Sequence, residues 1–253
     1  MSQKFSKTKP QKHKGQKSLL GSSELIRKLQ HLLDKEIPQT QSRFSERLTQ
    51  NMDFSSSLKL SELQGHLRVL DRTKQVKAKA QTLEDQKKSL NAAFERVHRA
   101  ILQSIEQSFD ESVVQPRFPL PKINLENDKL DLSAYQVFYM AQQTEMSAKI
   151  QGLRTYVREV LSSASLNMTK LALLDQTLEE TIGFPLRSGF SVISKIISKH
   201  CYKIEEQWQK HDHQEVRRQL NQFHSELRQL LLAELELRLQ AIQRLVDAFN
   251  QEV

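Results

Sequence analysis

Few residues in this 253-residue chain are of types and spacings that could do chemistry. They are His211, Asp212 and His213 with His224 downstream, His200 beside Cys201, and the carboxylate pairs Glu179/Glu180, Glu205/Glu206 and Glu234/Glu236. A zinc site on a helix places its ligands three or four residues apart, so that they face one side. His211 and His213 are two apart and share a side only in an extended segment, and no second acidic or Cys ligand lies at a matching distance. The reading is a solvated interhelical loop with no metal. His200 and Cys201 are neighbours, which on a helix point about 100° apart, so the imidazole cannot activate the thiol. Cys201 is expected to pack as a small apolar side chain. The carboxylate pairs read as helix surface charge. Glu234 is the exception: inside LLLAELELRL it is expected to face the apolar side and pair with Arg238 one turn on. The glycines stand singly, so neither common phosphate-cradling loop is present. No cofactor and no enzyme activity are expected.

The elements that would position these side chains are helices. Six Gly, six Pro and only 6% aromatic residues suit a helical protein, and alternating runs of Val, Ile, Thr and Tyr are missing. The expected fold class is all-α: an elongated helical bundle with one long coiled-coil-like helix and a long C-terminal helix. Four regions are expected: a disordered basic tail over 1–21, an N-terminal helical region over 22–112, a Pro-rich crossover over 113–131, and a C-terminal helical region over 132–253 packing on the first.

Along the chain, Ser22 or Ser23 can cap a helix that buries Leu25, Ile26, Leu29, Leu32 and Leu33. A short helix with Phe44 and Leu48 follows. Between His66 and Gln115 there is neither Gly nor Pro. Val69, Val76, Leu83, Leu90 and Val97 form one heptad position there, and Thr73, Ala80, Phe94 and Ile101 the other. PRFPLP at 116–121 marks a stiff crossover along the bundle. A helix starting near Asp131 or Ser133 carries Tyr135, Tyr139, Gln142, Met146, Ile150, Leu153, Val157 and Val160 on one face. SSAS at 162–165 ends it. The next helix is expected to bury Leu171, Leu174, Leu178 and Ile182, and GFPLRSG around Phe184 argues for a turn or sharp kink. Ile193, Ile197, Cys201, Ile204 and Trp208 form a further stripe, with a short break expected in QKHDHQE.

The C-terminal helix carries the strongest pattern. Val216, Leu220, Phe223, Leu227 and Leu230 follow one stripe, which then widens past half the circumference. Such a helix needs several neighbours, inside a bundle or in another chain. The preferred expectation is a partner-binding face made of Leu231, Leu232, Leu235, Leu239, Ile242, Val246 and Phe249, docking a helical protein partner or a second copy.

The formal charge of +8 is concentrated at one end. Lys4, Lys7, Lys9, Lys12, Lys14 and Lys17 supply +6, whereas the remainder carries 32 basic against 30 acidic side chains. The tail reads either as a solubilising segment or as a contact for phosphates, nucleic acid or an anionic surface. A second basic stretch, DRTKQVKAKAQTLEDQKK, adds Arg72, Lys74, Lys77 and Lys79 to the candidate phosphate-binding set. A nucleic-acid binder using the tail and the 72–88 ridge is the alternative function. The single cysteine fits a reducing compartment, and no apolar run approaches the roughly 20 residues of a membrane span. The expected location is the cytoplasm.

Three stretches together resemble an uncharacterised proteobacterial family of proteins of about this length. They are ELIRKLQHLL with FSERLTQNMDFSSSLKLSELQ over 24–64, YQVFYMAQQTEMSAKIQGLRTYVREVL with LALLDQTLEE over 135–180, and LLLAELELRLQAIQRLVDAF over 230–249. The lysine-rich N-terminus, the high Gln and Lys content and GFPLRSG depart from the family pattern. The resemblance brings no fold or reaction with it. It implies genomic company: a proton-channel pair similar to flagellar-stator (MotA-like), TolQ-like and ExbB-like motors, an OmpA-like peptidoglycan-binding partner, and in some clusters an anti-phage defence system of the Zorya class. In that company the chain would be a cytoplasmic helical adaptor or effector docking on the motor's intracellular part.

Overall fold

The computed structural model describes residues 24–32, 54–72, 80–122, 131–209 and 213–252. All regular structure there is helical: α1 (Glu24–Leu32), α2 (Phe54–Arg72), α3 (Ala80–Phe109), α4 (Ser133–Ala164), α5 (Leu166–Gln209) and α6 (His213–Asn250). The expected all-α class stands. The tail lysines, the Phe44/Leu48 helix, Thr73 and Val76 of the heptad, Lys74, Lys77 and Lys79 of the ridge, and His211 with Asp212 lie outside the described residues.

The broad apolar surface of α6 makes it the centre of the bundle. Val216, Leu220, Phe223, Leu227 and Leu230 are buried, and so are Leu231, Ala233, Leu235, Leu239, Ile242, Leu245, Val246 and Phe249. The neighbours that cover them are α1, α3, α4 and α5 of the same chain. Of the two explanations for a helix apolar over half its circumference, the intramolecular one holds. The expectation of a free partner-binding face at Leu231, Leu232, Leu235, Leu239, Ile242, Val246 and Phe249 is therefore corrected: Leu232 is half-buried against the core and the other six are fully within it.

The heptad is realised over its C-terminal half. Leu90, Phe94, Ile101 and Ile105 of α3 are buried against the core, with Leu83 and Val97 partly so. Its first member is not in a seam, because α2 packs on α5 and leaves Val69 61% exposed. α3 ends at Phe109, where Asp110 Oδ1 accepts from the backbone N of Ser112 at 2.9 Å and from its hydroxyl at 2.6 Å. Such a side-chain turn competes with helix continuation. The chain then runs along the bundle: Phe118 and Leu120 pack on the core, and Arg117 pairs with Glu145 of α4 at 2.9 Å.

α4 and α5 form a long hairpin hinged at Ser165, which is extended (φ −154°, ψ 167°) and whose hydroxyl accepts from the N of Met168 at 3.2 Å. The α4 stripe is buried as its spacing predicts, from Tyr135 to Val157, with Val160 half-buried. The Ile193, Ile197, Cys201, Ile204 and Trp208 stripe of α5 is buried throughout. Two expectations for α5 are corrected. The helix continues through Gly183, Pro185 and Gly189, so of the expected turn or kink the turn is not formed. Its first half is also rotated from the leucine stripe: Leu174 and Leu178 are exposed, while Ala172, Asp175 and Thr181 face inward.

Candidate functional site

The ionisable groups of the interior are tied to one another. At the crossing of α4, α5 and α6, Glu234 is completely buried. Its Oε1 accepts from Arg238 Nε at 2.7 Å, its Oε2 from the Tyr139 hydroxyl at 2.6 Å, and both oxygens from Gln143 Nε2 at 3.0 and 2.9 Å. The expected Glu234/Arg238 pair is therefore present. Arg238 also donates to Ser147 Oγ at 2.9 Å and stacks 3.9 Å over the Phe190 ring. Burial, then the Glu234 carboxylate, push the Tyr139 hydroxyl well above its ordinary pKa, so it stays a donor. A carboxylate with its lone pairs so filled is a structural group.

A second cluster explains the rotation of α5. Asp175 accepts from Arg154 Nε at 2.9 Å and from Arg158 Nε at 2.7 Å, and Arg158 also reaches Glu179 at 2.7 Å. Burial alone would raise the Asp175 carboxyl, but the two guanidiniums outweigh it and hold its pKa below the ordinary value. Two arginines one turn apart on α4 thus draw an aspartate inward and leave Leu174 and Leu178 in solvent. A shallow groove of about 340 Å³ beside this cluster is lined by Gln151, Arg158, Gln176, Glu179 and Glu180.

At the opposite end of the α4/α5 hairpin, Glu205 Oε1 accepts from the backbone N of the buried Leu132 at 2.5 Å, supplying a carboxylate to the start of α4, where N–H groups lack partners within the helix. The Cys201 thiol is 3% exposed and its pKa is pushed up to about 12, by burial first and then by Glu205. It packs as the small apolar side chain its place on the stripe predicts. His200 stacks on Phe223 instead of meeting that thiol. His224 bonds the Tyr135 hydroxyl. Burial lowers the His224 pKa from its ordinary 6.5, with Glu111 pulling weakly the other way. The sign follows: the neutral ring is favoured by folding, so its contribution is complete above pH 6.5 and is lost as pH falls below that value. The melting temperature is expected to drop on acidification from pH 6.5 and to drop less in His224→Gln, as scanning calorimetry at stepped pH would read.

The outside of the hairpin is different in character. Val137 is 69% and Met140 50% exposed on α4, and Val192 is 47% and Tyr202 67% exposed on α5. These four apolar side chains all lie within the half of the hairpin bounded by the Leu132/Glu205 and Gln143/Phe190 bonds. Sequence periodicity passed over them because none belongs to a stripe. Their signal was a lone apolar residue on an otherwise polar face.

Of the candidate phosphate residues, Arg72 closes α2. Within the described part of the 72–88 ridge, Lys87 turns inward and donates to the Glu252 carbonyl at 2.7 Å. Among the described residues there is no group of three or more His, Cys, Asp or Glu placed to hold a metal ion, and no helix long and apolar enough to cross a membrane. No curated protein and no solved structure matches the chain. One family model does, over residues 11–251, almost the full length. The three stretches that resemble a family without an assigned activity lie inside that match, and the chain belongs to the DUF3348 family, proteins of unknown function.

Proposed function

We propose that the chain is a non-catalytic helical adaptor of the cytoplasm that docks on a helical partner through the outer face of the α4/α5 hairpin. The observation that carries the reading is the group Val137, Met140, Val192 and Tyr202, four large apolar side chains left in solvent on one half of the hairpin. The interior supports it. Glu234, Asp175 and Glu205 each spend their oxygens on partners within the chain, which suits a rigid scaffold. The genomic company implied by the family resemblance makes the intracellular part of a proton-driven, MotA-like or TolQ-like motor the partner of choice, in some settings within anti-phage defence.

The test is co-purification of the full chain with the motor's channel subunit from the native host. Val137→Asp/Met140→Asp is expected to melt as the parent does and to lose the channel subunit. A variant that keeps it moves the contact elsewhere. A parent chain that binds no motor component, but binds nucleic acid in a manner lost on removing residues 1–17, would replace the adaptor reading with the nucleic-acid one.

A further inference from the structure

Resting on that adaptor reading, we infer that the occupant of the outer α4/α5 face is an acidic amphipathic helix of another protein, lying along the seam between the two helices. The two cross-helix bonds fix an antiparallel register in which Leu132 stands level with Glu205 and Gln143 with Phe190. By those two bonds Met140 stands level with the turn 193–197 of α5, and Tyr202 with the turn 131–135 at the start of α4. Gln143 points into the junction of α5 and α6, and Met140, three residues earlier, is about 60° round the helix on the side away from α6. Glu205 points at α4, and Tyr202, three residues earlier, is turned by the same angle. Met140 and Tyr202 therefore flank the seam on its solvent side, opposite α6, with Val137 and Val192 beside them.

The stretch of α4 from Ser133 to Met140 and one turn beyond rises about 15 Å, close to three turns. That length suits three anchors of a docked helix at i, i+3 or i+4, and i+7. A seam between two antiparallel helices packed side by side is also the geometry that a third helix completes in a bundle.

Charge chooses the kind of helix. Lys195 and Lys199 project from the same exposed arc of α5, between Val192 and Tyr202, and neither has a hydrogen bond or ion pair among the described residues. The nearby acids are occupied: Asp131 accepts from the N of Ser133 at 2.9 Å, Glu205 holds Leu132, and Glu206, one turn past Tyr202, has a partner of its own. An apolar strip edged by unpaired ammonium groups is complementary to a helix whose apolar strip is edged by carboxylates. A second copy using this face would set lysine against lysine. A bilayer would find two lysines and no Trp, Phe or Leu to insert.

The test is photo-crosslinking in the native host, with benzoylphenylalanine in place of Met140 or of Tyr202 in the full chain, and mass spectrometry of the joined segments. Both positions are expected to join the same segment of one other protein, with a net negative charge and apolar residues at three-four spacing. Lys195→Glu/Lys199→Glu should lower the yield by about tenfold or more with the melting temperature unchanged, whereas Lys88→Glu on α3 should not. Several outcomes overturn the proposal: joining to a second copy, to lipid, or to a neutral or basic segment; no joining; or a yield indifferent to the double charge reversal. If the motor subunit still co-purifies in any of those cases, the adaptor reading survives and only the acidic-helix occupant falls. If it does not co-purify, both fall.

Discussion

Leu235→Asp unfolds the chain. Leu235 is completely buried on α6, the helix that touches α1, α3, α4 and α5, so no neighbour can swing away to admit water. Losing the side chain alone costs about 2–5 kcal/mol. An unpaired carboxylate in its place adds several kcal/mol more, or is relieved only by taking up a proton at a similar cost. The sum reaches the whole stability of an ordinary domain, about 5–15 kcal/mol. Circular dichroism should show no cooperative melting for Leu235→Asp, nor for Leu239→Asp, which is 3% exposed. The charge itself is not at fault, since Met140→Asp on the outer face is expected to melt with the parent. A Leu235→Asp chain that folds and loses only a binding partner would return the leucine face to the role of an interface.

That contrast shows which parts of the fold could be read from the residues in order. The periodicity of α6 identified every buried position from Val216 to Leu230, because a one-sided stripe is a local property of a helix. It also placed the Glu234/Arg238 pair, since partners one turn apart meet on any helix. The width of the leucine face was legible too, but the identity of its neighbours was not. The choice between four helices of the same chain and one helix of another is made by tertiary topology, on which spacing is silent. Leu174 and Leu178 failed for a related reason. Their stripe is as regular as any other, yet Arg154 and Arg158 on the preceding helix claim Asp175 and turn the leucines outward. A pair formed across 17 to 21 residues leaves no periodic trace. GFPLRSG misled in the opposite sense: Gly and Pro have poor helix propensity, but α5 is helical through it, between a flank that buries Thr177 and Thr181 and one that buries Ile193 and Ile197. The exposed apolar group was missed because a surface is recognised by what surrounds it, and Val137 and Tyr202 come to the same half of the hairpin only once it has closed.

The second large effect belongs to the buried glutamate. Glu234→Ala is expected to destabilise the chain by about 3–5 kcal/mol, as removal of one member of a buried ion pair does. The loss exceeds that of the hydrogen bonds counted singly because of what stays behind. Arg238, whose side chain is 12% exposed, keeps its charge with only Ser147 Oγ and the Phe190 ring for company. Tyr139 and Gln143 keep donors aimed at an empty space. Glu234→Gln preserves the shape but not the charge, so it should fall between parent and alanine variant. The decisive comparison is Glu234→Leu with Glu234→Leu/Arg238→Met. Replacing both charges removes the stranded guanidinium, and the double variant should be the more stable of the two by guanidinium denaturation monitored by circular dichroism. If the double variant is the weaker, Arg238 stabilises the bundle through its stacking on Phe190 and its bond to Ser147 independently of Glu234. The network would then be a set of separate contacts instead of a closed pair that fixes how α6 sits against the α4/α5 hairpin.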